Sequence, residues 1–210
     1  MVIRYILAWA LILCFSTSHA EEVVKIPLSE IWATDMPGTK KFDFIKCNPS
    51  KDPNCPAPYK ILQAVQSGYK DKTFRPGFVV NKTGLEAMRE AQNVIVDKAE
   101  PQSSFAAGTE LIVVFFTTEL NDYLQLEPVE ITGNTIDVPF RIITNETEDG
   151  VSYMALIPLK KLPRGEYRVN MVDRSDEQEF LNVGRRLYGE DRIRREICNP
   201  FSFTVGAKAK

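Results

Sequence analysis

The second half of the chain carries apolar residues in patterns that predict β-strands. Residues 136–142 place an apolar side chain at every second position, which predicts a strand with one buried face and one solvent-exposed face. Residues 111–116 are apolar throughout and rich in β-branched and aromatic side chains, which predicts a central strand covered on both faces. Further strands are predicted over residues 23–26, 152–157, 166–172 and 201–205.

Two segments of the first half follow the helical period instead. Pro58 fits the first position of a short helix that ends at Gly68. The apolar face of this helix comprises Tyr59, Ile61, Leu62 and Val65. A second helix is predicted to start after Thr83, whose hydroxyl forms a capping box with Glu86. Its apolar stripe is typical of a helix that covers a protein core and comprises Leu85, Met88, Ala91, Val94 and Ile95.

Turn residues mark the connections between these elements. The segment 47–56 contains three prolines, so it can continue neither a helix nor a central strand, and we expect its cysteines to order it. Gly133 and Asn134 form a typical hairpin pair. Pro139 cannot donate a ladder hydrogen bond, so its strand is predicted to lie at an edge or to carry a bulge.

The elements together predict a mainly β protein. Six short strands separated by turn signals favour a β-sandwich. Residues 1–20 are predicted to be a cleaved signal peptide, and residues 21–210 are enough for one sizeable core and are assigned to a single domain. Within that domain, residues 21–104 are predicted to form a mixed α/β extension with two short helices, packed on a sandwich of residues 105–206.

The segment 162–169 resembles a corner found in known sandwiches. Its Leu-Pro-Arg-Gly-Glu-Tyr-Arg-Val sequence is similar to the turn before the penultimate strand of immunoglobulin-like and fibronectin type III-like domains. The resemblance covers residues 109–205 and implies an immunoglobulin-like β-sandwich in which the Tyr167 hydroxyl binds nearby backbone. The pair of inter-sheet cysteines is missing, and Trp32 lies outside this segment. That fold serves adhesion, binding and enzyme-accessory modules alike, so it does not select a function.

The amino terminus predicts export. Arg4 precedes the apolar run 6–15, and Ser18-His19-Ala20 is a small-x-small triplet, so we expect cleavage after Ala20. The apolar run is too short to cross about 30 Å of hydrocarbon, so a retained membrane anchor is not expected. The protein is therefore predicted to be secreted or periplasmic, with no transmembrane anchor in the mature form.

Charge and histidine content narrow the function classes. The chain holds 26 basic and 28 acidic residues, a formal net charge of −2. Loss of Arg4 with the leader makes the balance more acidic, which argues against nucleic-acid binding. The single histidine, His19, lies in the leader, so the mature chain lacks the imidazole of serine-histidine triads and many zinc sites. Without a phosphate-binding glycine loop or a CxxC pair, no cofactor and no metal is predicted.

Three cysteines remain after cleavage, so one cannot pair within the chain. Three intramolecular pairings are open, and proximity within a turn-rich loop favours Cys47 with Cys55. Cys198 is then a free or intermolecular thiol, and its alternatives are a reactive thiol, an attachment point, a bridge to a second chain or a buried inert thiol.

An arginine-rich segment is the strongest candidate contact surface. Residues 184–196 contain five arginines and three acids with apolar residues between them, and they belong to the long connection 173–196. This composition favours recognition of an anionic polymer or a protein, although a helix or loop whose acids neutralise its arginines has the same pattern. The predicted binding residues are Arg185, Arg186, Tyr188 and Arg192.

Acidic loops offer the alternative of catalysis, because two carboxylates can hydrolyse glycosides without histidine. The candidate carboxylates follow strands or occupy loops and are Glu119, Asp122, Glu127, Glu130, Glu146, Glu148 and Asp149. Solubilising surface charge would give the same spacing. The acidic run 173–179 lacks the glycine of an EF-hand loop, so a solvated loop is favoured over a calcium site. Asn81 and Asn145 match the N-glycosylation pattern, which applies in a eukaryotic secretory pathway.

The sequence thus favours a non-catalytic secreted or periplasmic binding module with a protein or glycan partner. The alternative is a carboxylate-dependent hydrolase of extracellular polysaccharide. A third class is an envelope component assembled through Cys198.

Overall fold

A computed structural model describes residues 22–34, 36–43, 45–48, 50–52, 54–70, 77–120, 123–143, 151–175 and 199–206. This part of the chain is mainly β and forms two sheets. The strands are β1 (Val23–Ile26), β2 (Trp32–Ala33), β3 (Gly77–Val80), β4 (Ser104–Ala106), β5 (Glu110–Leu120), β6 (Tyr123–Leu126), β7 (Val129–Thr132), β8 (Thr135–Ile143), β9 (Val151–Lys161), β10 (Gly165–Asp173) and β11 (Phe201–Gly206). The helices are α1 (Pro58–Lys70) and α2 (Gly84–Ile95), with a 3-10 turn at Leu28–Glu30.

The larger sheet has the strand order β1-β7-β8-β10-β11-β4, with β6 also paired to β8. The smaller sheet has the order β2-β9-β5-β3. Two pairs, β8 with β10 and β11 with β4, are parallel, and the other pairs are antiparallel. β1, β2 and β3 come early in the chain, yet each pairs with a strand that comes after residue 109.

β5 is the central strand that its composition predicts. Residues 111–116 are all buried, and alternate side chains enter two different hydrophobic clusters. Val113 and Phe115 pack between the two sheets, in the inter-sheet cluster. Val114 and Phe116 pack on the opposite face of β5, under the helices, in the helix-side cluster. The smaller sheet is therefore covered on both faces, as expected for a continuous apolar run.

The larger sheet follows the predicted alternation. Ile136, Val138 and Phe140 of β8 are buried in the inter-sheet cluster. The inward residues predicted for β10 and β11 also lie in this cluster or pack against it; they are Tyr167, Val169, Met171, Phe201, Phe203 and Val205. The predicted inward faces of β8, β10 and β11 are thus confirmed.

Both helices lie where the sequence predicts them, but three details of the prediction are wrong. α1 continues to Lys70 beyond Gly68, because one glycine inside a helix costs only about 1 kcal/mol. Tyr59 was predicted on the buried face but is 54% exposed. It lies two residues before the buried Ile61, which is about 200° around the helix axis. The capping box does not form, since the Thr83 side chain makes no cap hydrogen bond and Glu86 pairs with Arg89 instead.

Pro139 lies opposite the interruption between β6 and β7, on a strand with neighbours on both sides, so the first of its two predicted settings, a sheet edge, is not found. Leu126 pairs with Phe140 and Glu130 pairs with Asp137. The three residues 127–129 of the adjacent segment therefore lie opposite only two residues of β8, Val138 and Pro139. The extra residue separates β6 from β7, and β8 therefore continues without an N–H at Pro139. The predicted hairpin between β7 and β8 is also present, with Gly133 at a φ of 53°.

The Cys47–Cys55 disulfide is present as predicted, with 5.6 Å between the two Cα atoms. Its loop is attached to α2, because Arg89 Nε donates to the Asn54 carbonyl oxygen at 3.3 Å. The Ala57 N–H donates to the Gln92 side chain at 3.2 Å, which fixes the start of α1 beside α2.

The Tyr167 hydroxyl binds nearby backbone, as expected from the sequence of segment 162–169. Tyr167 is 1% exposed, and its hydroxyl donates to the Pro163 carbonyl oxygen at 3.0 Å. Burial raises the pKa of this phenol, so the hydroxyl stays protonated and remains a donor at neutral pH.

Candidate functional site

The predicted arginine-rich surface falls in a part of the chain that the structure does not describe. Arg185, Arg186, Tyr188, Arg192, Cys198 and the glycosylation candidate Asn145 lie outside the described residues. These assignments stay predictions. Asn81 is described, and it is exposed at the bend between β3 and α2.

Two of the candidate catalytic carboxylates lie in one network of charges. Arg174 Nη1 lies 2.9 Å from a Glu127 carboxylate oxygen, and its Nη2 lies 3.5 Å from one of Glu130. Arg141 Nε contacts Glu127 at 2.5 Å, and Lys25 Nζ contacts Glu130 at 3.1 Å. The network therefore joins β1, β7 and β8 to the end of β10 on the outer face of the larger sheet.

These cations make both carboxylates poor proton donors. The hydrogen bond from Arg141 lowers the pKa of Glu127, with a further contribution from Arg174. The hydrogen bond from Lys25 likewise lowers the pKa of Glu130. A glycosidase needs one carboxyl group whose pKa is raised so that it can protonate the leaving group. Glu127 and Glu130 are thus better explained as sheet-stabilising ion pairs than as a catalytic pair.

The network predicts a small loss of stability in acid. Because the pKa of Glu127 is lower in the folded chain than in the unfolded chain, its contribution is complete above the unfolded-state pKa and is lost as the pH falls through the folded pKa. We expect Glu127→Gln to lower the free energy of unfolding by under about 1 kcal/mol at pH 7 and to have less effect below about pH 4. Urea denaturation from pH 3 to pH 7 measures this difference.

Glu166→Gln is the matched control, because Glu166 is exposed on the same sheet and belongs to none of the ion pairs among the described residues. If the effect of Glu127→Gln on the free energy of unfolding stayed constant over this pH range, the lowered pKa of Glu127 would not be a source of stability.

A groove of about 400 Å³ lies at the side of the molecule where the two sheets face each other. It is lined by three segments: residues 77–79 of β3, residues 100–103 leading into β4, and residues 199–203 at the start of β11. We call it the edge groove. Its volume is within the range of small-ligand sites.

The edge groove runs along strand edges rather than over the face of a sheet. Phe78 and Val79 belong to clusters on opposite faces of the smaller sheet, yet both line the groove. Phe203 is buried between the sheets and Ser202 is exposed, yet both line the groove as well. Since successive side chains of a strand point to opposite faces, a groove that touches both must lie beside the strand.

Each of these edges lacks a strand neighbour within the described part of the chain. β3 ends the smaller sheet and pairs with β5 alone. β11 pairs with β10 from Phe201 onward, but its pairing with β4 begins only at Thr204. The segment 100–103 therefore diverges from β11 just before β4, which opens the groove.

The lining combines apolar surface with hydrogen-bonding groups. The apolar lining residues are Phe78, Val79, Phe201, Phe203 and the two prolines Pro101 and Pro200. The polar lining residues are Gln102, Ser103, Asn199 and Ser202, and Glu100 is the one charged residue among the described residues that line the groove.

Gly77 brings the two sheets close together at one end of the groove. A Cβ atom on Gly77 would lie 2.5 Å from the Val114 carbonyl oxygen and 3.2 Å from the Phe201 ring. The Phe201 ring thus packs directly against the backbone of β3. Glycine is required here for close approach, since its φ is not in the left-handed region.

Sequence reasoning missed this site. Gly-Phe-Val-Val at 77–80 is a short apolar run between Pro76 and Asn81, which is a strand signal, but the segment 100–103 carries no comparable signal. Within the described residues, no group of three or more histidine, cysteine or acidic side chains is placed to hold a metal ion. The described helices include none with the length and apolarity needed to cross a membrane.

Comparison of the chain with protein-family models, with curated proteins and with solved structures gives no match.

Proposed function

We propose that this protein is a secreted or periplasmic binding module without catalytic activity, and that it holds its ligand in the edge groove. The observation that carries the proposal is the groove itself, which combines a ligand-sized volume, a half-buried phenylalanine and several amide and hydroxyl groups. Export agrees with the signal-like leader and with the Cys47–Cys55 disulfide, which is typical of oxidising compartments.

The proposed fold relationship is an immunoglobulin-like sandwich with an added helical layer. The hydrogen bond from Tyr167 to Pro163 supports it. The parallel pairing of β8 with β10 is a departure, because immunoglobulin sheets are mainly antiparallel. The binding proposal does not depend on this relationship, since ligand binding belongs to the groove rather than to the fold.

A pair of tryptophan substitutions on one strand tests the binding site. Ser202 is exposed and lines the edge groove, whereas Thr204 is exposed two residues further along the same face of β11 and does not line it. The mature protein is screened against a peptide display library and a polysaccharide array. We expect Ser202→Trp to weaken binding of captured ligands at least about tenfold and Thr204→Trp to leave it unchanged.

The other outcomes decide against the proposal in different ways. If neither screen captures a ligand, the protein is not a binding module of this kind. If both tryptophan variants bind like the parent chain, but combined alanine substitution of Arg185, Arg186 and Tyr188 removes binding, the contact surface is the arginine-rich segment. Cleavage of a captured polysaccharide would favour the hydrolase alternative.

A further inference from the structure

The edge groove brings an aromatic ring and hydroxyl groups to the same strand. On β11, Phe201 and Phe203 lie on the inward face, and Ser202 lies on the opposite, exposed face. Phe201 is half-buried and lines the groove, so part of its ring can contact a ligand there. A ligand in the groove therefore meets apolar surface and a hydroxyl group on neighbouring residues of one strand.

Three more polar side chains line the groove. Gln102, Ser103 and Asn199 are all exposed to solvent, as Ser202 is. Hydroxyl and carboxamide groups each offer both a hydrogen-bond donor and an acceptor. Together, the four side chains can bind a ligand that presents several hydrogen-bonding groups at once.

Hydrogen bonds within the chain hold this polar lining in place. The Thr204 N–H donates to the Ser103 carbonyl oxygen at 2.9 Å, which fixes the segment 100–103 to β11 close to Ser202. The Gln102 side-chain amide donates to the Ser104 carbonyl oxygen, so its own carbonyl oxygen is the acceptor that it can offer to a ligand. Groups that are ordered before binding lose less conformational entropy when a ligand arrives.

A saccharide has the two kinds of surface that match this lining. The C–H groups on the face of a sugar ring pack against an aromatic ring. The hydroxyl groups around the sugar ring both donate and accept hydrogen bonds, as the serine, asparagine and glutamine side chains do. The groove volume of about 400 Å³ lies within the range of small-ligand sites.

We propose that the ligand of the edge groove is a saccharide, with one sugar ring packed on Phe201 and its hydroxyl groups bound by the four polar side chains of the lining. This inference rests on the proposed function, because it names the ligand class of the same groove.

Phe201→Leu tests the aromatic contact. Oligosaccharides of glucose, of mannose and of galactose are titrated into the mature full-length protein, and binding is measured by calorimetry. We expect at least one of them to bind, and Phe201→Leu to weaken its binding about tenfold, because leucine is apolar but has no flat ring. Phe105→Leu is the matched control, since Phe105 is buried in the same inter-sheet cluster and does not line the groove. Equal losses of affinity in the two variants would overturn the contact with Phe201.

Asn199→Ala tests the hydroxyl contacts. We expect it to weaken binding of the same oligosaccharide about fivefold, because one or two hydrogen bonds are lost. Among the monodeoxy analogues of that sugar, one should bind the parent chain and Asn199→Ala equally, since both changes remove the same contact. Asn93→Ala is the matched control, because Asn93 is exposed on α2 and does not line the groove. Equal effects of the two alanine substitutions would overturn the role of the polar lining.

Failure of this inference is distinguishable from failure of the proposed function. Capture of peptides alone, with binding lost in Ser202→Trp, would retain the groove as the site but overturn the saccharide ligand. The saccharide is overturned as well if none of the three oligosaccharides binds and the polysaccharide array captures nothing. Saccharides that bind Ser202→Trp as well as the parent chain would overturn the groove itself.

Discussion

Replacing Phe115 with alanine is expected to lower the free energy of unfolding by about 3–5 kcal/mol. Phe115 is 0% exposed and packs in the inter-sheet cluster. It lies on β5 between Gly77 of β3 and Ala155 of β9, two small neighbours that cannot fill the space left by the ring. The loss therefore combines the transfer energy of the ring with the cost of a cavity. Urea denaturation followed by circular dichroism measures it.

Tyr59→Ala is the control for this prediction. Tyr59 is 54% exposed on α1, so its truncation should change the free energy of unfolding by less than about 0.5 kcal/mol. A Tyr59→Ala loss comparable with that of Phe115→Ala would show that α1 buries a different face from the one described. Phe115→Leu keeps most of the core volume and serves as a second variant if the alanine variant does not fold.

Gly77→Ala is expected to destabilise the fold by about 1–3 kcal/mol although it adds a single methyl group. The added Cβ would lie 2.5 Å from the Val114 carbonyl oxygen, which is backbone of the central strand and cannot move aside alone. β3 or the Phe201 ring has to shift, so the edge groove changes shape as well. We therefore expect the variant to lose both stability, measured in urea, and affinity for the ligands selected by the parent chain.

Gly206→Ala is the matched control for Gly77→Ala. Gly206 also lies in a strand, at the end of β11 in the larger sheet, but a Cβ there meets no atom within 4 Å. Its φ is not in the left-handed region, so alanine should be accepted with a change of less than about 0.5 kcal/mol. A similar loss in both variants would mean that glycine is required for conformation rather than for close approach at position 77.

Local patterns were sufficient to predict the long strands and both helices. The alternation in 136–142 has the period of a strand with one buried face, and the run 111–116 has the β-branched and aromatic composition of a strand buried on both faces. The Cys47–Cys55 pair was predictable because its eight-residue separation lies within one turn-rich loop. Tyr167 was predictable because its hydrogen bond reaches only four residues upstream.

Longer-range features were not predictable in the same way. β2, β3 and β4 have two to four residues each, and such short segments become strands only when a partner strand supplies their hydrogen bonds. Tyr59 fits the apolar stripe of α1 in sequence, yet the contact of α1 with β5 and β9 selects Ile61 for burial instead. Glu86 forms an ion pair with Arg89 instead of a hydrogen bond to the start of the helix. Both side chains are exposed, so the choice between these partners changes the free energy of folding little.

Local sequence specifies the secondary-structure class, the position of the central strand, the short disulfide and the Tyr167–Pro163 hydrogen bond, because each depends on residues that are close together in the chain. The meeting of residues 77–79, 100–103 and 199–203 around one groove, in contrast, depends on how the two sheets pack together. More than a hundred positions of chain separate the first and last of these segments, and no local periodicity carries that distance. Their meeting follows from the pairing of β3 with β5 and of β11 with β10, which places two strand edges side by side.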